Sequence, residues 1–257
     1  MLTQKGGKTV YGASLGILML ETRFPRIPGD VGNATTWPFP VQYRVVRSAT
    51  PDLIVRDDPR LLIDKFIDAA RDLVASGCDG ITTNCGFLSI VQDQLAEAVA
   101  VPVATSSLMQ VQMVQAMLPA GKRAGILTIS KETLTEAHLT AANVPLDTPV
   151  VGTENGRVFT RDILGDAPEI DFEACRQDMC DAARQLVTDH ADLGAIVLEC
   201  TNMTPYAAEI RRLTGLPVFS IYSFIRWFQQ GLVPDRFSVH LDDPLPGLAG
   251  RQANPVK

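Results

Sequence analysis

Cys85 and Cys200 are the residues whose type and position point to chemistry. Each follows an expected strand, GITTN before the first and AIVLE before the second, with an expected helix close behind. In open α/β sheets ligands bind beyond the carboxyl ends of the strands. Backbone amides and the positive end of a helix dipole favour an anion there, which raises the thiolate fraction of a cysteine. A thiolate on one side of a small substrate and a thiol on the other can move a proton across one carbon. One sulfur removes it and the other returns a proton to the opposite face. No cofactor motif accompanies the pair, and metal-ligand spacing is absent: Cys175 and Cys180 lie five apart, and His138, His190 and His240 are scattered. Polar donors must then steady the carbanion. On one side these are Thr82, Thr83 and Asn84 with the amides of Gly86 and Phe87; on the other they are Thr201, Asn202 and Thr204.

What makes two cysteines a pair is an internal repeat. Gly16-Ile17-Leu18 recurs as Gly125-Ile126-Leu127, and Val101-Pro102-Val103 recurs as Leu216-Pro217-Val218. Pro102 lies 17 positions after Cys85, and Pro217 lies 17 positions after Cys200. A repeat this long is not a solenoid. It implies two similar α/β lobes about a pseudo-twofold axis, with the two sulfurs facing one cleft. The expected division is residues 1–118 plus about 222–257 for the first lobe and 119–221 for the second.

Short apolar runs alternating with amphipathic stretches predict βαβ units and mainly parallel sheets flanked by helices. The expected strands are Ser14–Leu20, Arg44–Arg47, Gly80–Thr83, Val101–Ala104, Arg123–Ile129, Pro149–Val151, Ala195–Glu199 and Pro217–Ser220. Helices are expected over Pro59–Ser76 (Asp58 as N-cap, Gly77 as stop), Phe87–Ala98, Glu169–His190, and Thr204–Thr214 with Thr204 as N-cap and Pro205 in the first position. The Pro- and Gly-rich stretch Glu21–Tyr43 is long for a structureless loop and is expected to bind or cover a ligand. Residues from Pro234 onward lack periodicity and are expected to lie extended on the surface.

The motifs TTNCGF (Thr82–Phe87) and LECTNM (Leu198–Met203), the duplication, and GILTISKET (Gly125–Thr133) together resemble the aspartate/glutamate/hydantoin racemase superfamily over about Leu15 to Trp227. The resemblance implies two α/β lobes with an interlobe site. It also implies racemisation or epimerisation of an amino acid or related small carboxylic acid without pyridoxal phosphate or any other cofactor. Cys85 and Cys200 would be the two bases, and a homodimer is implied. The chain departs from the common patterns. Asn84 precedes Cys85 and Gly86-Phe87 follow it, where many relatives read Cys-Asn-Thr. Glu199 precedes Cys200, and Asn202 stands where an acidic or imidazole side chain is common. Some relatives decarboxylate arylmalonates with one cysteine and others isomerise maleate through a cysteine adduct. A decarboxylase or cis–trans isomerase acting on a dicarboxylate is therefore the alternative, and a non-catalytic small-acid binding protein is the reading from another class.

The substrate contacts expected are Asn84, Gly86, Phe87, Thr128, Ser130, Thr201 and Asn202. Asn84 and Asn202 also suit a purely turn-forming role, and Thr128 and Ser130 suit helix capping. Arg23, with Arg26 beside it in the long loop, is a candidate clamp for a carboxylate. Glu199 either tunes a thiol or makes a structural bond. Cys78, Cys175 and Cys180 read as core, Tyr222–Trp227 as core or subunit interface, and His240 has no role. The 257 residues are 46% hydrophobic and 20% charged with a net charge of −6. A pI near 5.1 leaves no basic stripe for nucleic acid. Mean hydropathy of +0.10 and the lack of a long apolar run argue against a membrane span. The N-terminal apolar stretch, broken by Gly12, Ser14 and Gly16, reads as a buried strand rather than a signal peptide, so a cytoplasmic location is expected. Five cysteines fit reduced thiols better than disulfides. Lys5-Gly6-Gly7-Lys8 lacks the spacing of a phosphate-binding loop.

Overall fold

A computed structural model describes residues 3 and 5–237. The strands form at all eight expected places: β1 (Leu15–Leu20), β2 (Val41–Val46), β3 (Gly80–Thr83), β4 (Val103–Ala104), β5 (Arg123–Thr128), β6 (Val150–Gly152), β7 (Leu193–Leu198) and β8 (Val218–Phe219). They make two four-stranded parallel sheets, ordered β2-β1-β3-β4 and β6-β5-β7-β8. The second order reproduces the first under the repeat, and helices flank both sheets. The inner strands are apolar along their whole length because parallel strands are covered on both faces. All six residues of β1 are buried. Its residues alternate between two cores: Leu15, Ile17 and Met19 pack with Trp37 and the helix Ile221–Leu232, while Leu18 and Leu20 join the large core shared by both sheets.

The duplicated glycines have a packing reason. A Cβ on Gly16 would lie 2.9 Å from Ile81 Cδ1 and 3.0 Å from Leu73 Cδ1, and one on Gly125 would lie 2.5 Å from Leu193 Cδ1. In each lobe a neighbouring strand and a covering helix press onto the same point of the leading strand, and only hydrogen fits there.

The helices depart from expectation in a consistent way. After each cysteine the chain first makes a tight 3₁₀ segment, Gly86–Val91 and Thr201–Tyr206, and only then an α-helix, Gln92–Ala98 and Ala207–Thr214. Thr204 is therefore not an N-cap, and Pro205 lies inside the 3₁₀ segment rather than at the start of the α-helix. The expected helix Pro59–Ser76 divides similarly, with Asp58 capping a 3₁₀ turn Pro59–Leu62 before the α-helix Ile63–Ser76. Gly77 ends it in the left-handed region. The long helix spans Phe172–Asp189, capped by the Asp171 carboxylate. Of Tyr222–Trp227, Phe224 and Ile225 are core and Trp227 is exposed. Within Glu21–Tyr43 the only regular pieces are a 3₁₀ turn at Ala34–Thr36 and the start of β2. His240 and most of the expected surface tail lie outside the described residues.

The sheets are tied to each other near their carboxyl ends. Ser107, just beyond β4, donates to the carbonyls of Leu198 (2.5 Å) and Glu199 (3.1 Å) at the end of β7. Both partners are buried. Ser107→Ala strands those carbonyls, and a loss of about 1–3 kcal/mol in stability by urea denaturation is expected.

Candidate active site

The repeat places Cys85 and Cys200 at equivalent strand ends, and both line one narrow cavity of about 20 Å³. The residue before each cysteine turns its side chain back on the first strand of its own lobe. Asn84 Oδ1 accepts from the Leu20 amide at 2.7 Å, and Glu199 Oε2 accepts from the Ile129 amide at 3.4 Å. The residue after each cysteine meets the carbonyl of the residue before the other one. Thr201 Oγ1 donates to the Asn84 carbonyl at 2.6 Å, and Gly86 lies against Glu199, whose carbonyl oxygen would be 2.5 Å from a Cβ there. These two crossing contacts hold the strand ends of the lobes together and keep the thiols on a common cavity.

The cavity wall is largely apolar, contributed by Leu20, Phe24, Val55, Phe87, Ile129, Ile163 and Leu164. Besides the thiols its polar groups are Thr22, Arg26, Asn84, Glu199 and Asn202. Arg26 is held from two sides: its guanidinium lies 4.5 Å over the Phe24 ring and binds Asp30 at 2.7 Å. Asp30 is buried. It also accepts from the Gly32 amide at 2.7 Å and from Asn202 Nδ2 at 2.5 Å. Asn202 Oδ1 in turn faces the Cys200 sulfur at 3.6 Å. A hydrogen-bonded line thus runs from the loop cation through Asp30 and Asn202 to Cys200.

Burial pushes the Cys85 thiol up to about 12, the Glu199 charge adds to this, and the Phe87 and Leu88 amides and Arg26 work against it. Cys200 is also raised well above the usual thiol range, again by burial first and then by Glu199, with the Asn202 amide opposing. The strand-end address is expected to favour a thiolate, yet both thiols are shifted the other way, because desolvation exceeds what the amides return. Glu199 is itself pushed up to about 7 by burial, against the hydrogen bond from Thr128 Oγ1 at 2.8 Å.

Of the expected contacts, Asn84, Phe87 and Asn202 line the cavity and Gly86, Thr128, Ser130 and Thr201 do not. Thr128 holds Glu199, Ser130 Oγ accepts from the Thr133 amide at 3.4 Å across a turn rather than as the expected helix cap, and Thr201 ties the lobes. The clamp expected at Arg23 is not at the cavity. Its side chain is 76% exposed and its Nε binds Asp166 at 3.0 Å, so an intramolecular carboxylate already takes it. Arg26, 11% exposed, occupies the cavity wall instead. Asp30 and Phe24 carried no signal in the sequence, since a loop aspartate and a loop phenylalanine without periodicity read as solvated chain. The long loop crosses to the second lobe through Arg23–Asp166, Gly29 against Pro205, and Asp30–Asn202. Thr22, Phe24 and Arg26 of this loop line the cavity. Cys78, Cys175 and Cys180 are buried away from it.

The Asp/Glu/hydantoin racemase family model matches residues 45–223, a span that holds both cysteines and six complete strands, β3 to β8. The chain belongs to that family. Within the racemase family it is similar to a dimethylsulfoniopropionate lyase of Durusdinium sp. clade D, 28% identical over 237 residues that cover 89% of this chain and 78% of that protein. It is also similar to dimethylsulfoniopropionate lyase 7 of Emiliania huxleyi (strain CCMP1516), 29% identical over 88% of this chain and 70% of that protein. An allantoin racemase structure from Klebsiella pneumoniae shares the fold with a TM-score of 0.59 at 19% identity, covering 86% of this chain and 88% of that one. No helix among the described residues is long and apolar enough to cross a membrane.

Gly86→Ala places a methyl group where the Glu199 carboxylate and carbonyl already stand. Backbone cannot step aside as a side chain can, so a loss of about 1–3 kcal/mol is expected by calorimetry. An unchanged melting temperature would show that these segments are not in contact.

Proposed function

We propose that this protein is a cysteine-dependent lyase that removes the proton α to a small carboxylate and expels a leaving group from the β carbon, with dimethylsulfoniopropionate as the substrate type. The observation that carries the reading is one narrow, mostly apolar cavity lined by two thiols and a single fixed guanidinium. Arg26 is positioned to receive the carboxylate through the guanidinium N–H groups that Asp30 and Thr22 leave free. It is buried and pre-oriented by Phe24 and Asp30, so little side-chain freedom is lost on binding. The apolar and aromatic walls suit the methyl groups of a sulfonium, and Phe87 supplies an aromatic side chain not covered by a cation.

In this chemistry a cysteine thiolate takes the α proton. The electron pair left on carbon forms the α–β double bond, and the β carbon–sulfur bond breaks with its electrons going to sulfur. Dimethyl sulfide and acrylate leave, and the thiol returns its proton to solvent. Arg26 steadies charge developing on the carboxylate, and exclusion of water strengthens that interaction. The names of the sequence relatives support this reading over others in the family.

A second reading is racemisation or epimerisation of a small carboxylic acid. The specific observation in its favour is that both thiols are kept at equivalent strand ends, one for each face of a stereocentre. Incubating the protein with dimethylsulfoniopropionate and measuring dimethyl sulfide by headspace gas chromatography separates the two. Release is expected from the wild type, with at least one of Cys85→Ser and Cys200→Ser lowering it by at least ~100-fold. No release, together with deuterium entering the α position of a chiral acid from heavy water, would replace the lyase by the racemase.

A further inference from the structure

Glu199 is the one carboxylic acid in the cavity wall without a cationic partner. It is 1% exposed, and its two oxygens are unequally served. Oε2 receives Thr128 Oγ1 and the Ile129 amide, whereas Oε1 is buried with no hydrogen-bond partner and faces Gly86. The same position in the other lobe is Asn84, a neutral amide one methylene shorter, bonded to the equivalent strand. The acid therefore stands beside Cys200 in the chain and against the residue that follows Cys85, within reach of both thiols and screened from water.

The other charged and titratable groups around the cavity do not neutralise it. Arg26 is committed to Asp30, and Asp30 adds negative charge on the Cys200 side. His138, behind the Phe87 ring at 5.0 Å between centroids, is pushed down by burial to about 4 and stays neutral near pH 7.

We propose that Glu199 controls the ionisation of both cysteines by charge exclusion: its carboxylate and a thiolate compete for the one negative charge this enclosed site accommodates. Glu199 is then a positioning residue for charge rather than a group that touches the substrate. Its charge opposes both thiols. When it is protonated, loss of a thiol proton meets no carboxylate; when it is ionised, a second anion must form in the same dry volume. The three groups titrate as a cluster. As pH rises, the thiolate population grows until Glu199 ionises near 7, then levels off until the second proton is forced away. This deepens the lyase reading, because the base of that reaction is the thiolate.

The test measures thiolate without substrate, so it can fail or succeed independently of the lyase assignment. The full chain is alkylated with iodoacetamide from pH 6 to 9, and the rates at Cys85 and Cys200 are read from peptide masses, with buried Cys78, Cys175 and Cys180 as internal controls. The wild-type rates are expected to rise to about pH 7 and then flatten. In Glu199→Gln the break disappears. The rates match wild type at the acid end and exceed it roughly tenfold near pH 8, one unit above the Glu199 midpoint of about 7. Thr128→Val removes the bond that lowers Glu199, so its break moves to higher pH; this variant carries the test if the glutamine variant does not fold. A merely structural role changes alkylation by one factor at every pH. Parallel profiles for wild type and variant would overturn the proposal.

Discussion

Removing ionisable groups from water is the constraint on which the centre of this molecule depends. Two thiols and a carboxyl lie at strand ends where helix dipoles and free amides invite negative charge, but the cavity is too dry for that invitation to prevail. Desolvation is the largest influence on Cys85, Cys200 and Glu199 alike. The surrounding architecture keeps water out: apolar strands covered on both faces, a loop crossing from one lobe to the other, and two crossing contacts that press the strand ends together.

Those crossing contacts explain several otherwise separate features. Gly86 lacks a side chain because Glu199 fills the space, and Thr201 has a hydroxyl because the Asn84 carbonyl needs a donor there. Both follow from the pseudo-twofold relation, which brings the residue after each cysteine onto the carbonyl before the other. Ser107 adds a third tie to the same strand end. Burying backbone carbonyls at an interlobe junction requires such donors. The scaffold is stable at this point only while each of them is present.

The strands were readable because parallel strands buried on both faces leave continuous apolar runs, and because the repeat presents each one twice. Gly16 and Gly125 were visible as a repeated element before their packing role was known. The 3₁₀ segments after the cysteines were not readable, since over six residues a 3₁₀ and an α period look alike. Arg23 and Arg26, three residues apart in one loop, could not be told apart either. What separates them is Asp166, 143 residues from Arg23, and Asp30, four residues from Arg26. Thr128 and Ser130 belong to the same class of uncertainty. Their hydroxyls are used inside the protein, and only the fold reveals the partners.

Asn84 and Glu199 occupy matching places in the two lobes and differ by an amide against an acid. A scaffold built from two like halves thus carries an internal polarity, with a neutral dipole on one side of the mirror and a titratable charge on the other. A reaction that must run equally well in both directions favours two interchangeable bases. An elimination that ends in two separated products makes no such demand. With a carboxyl in one half and an amide in the other, the duplicated frame does not treat its two sides alike.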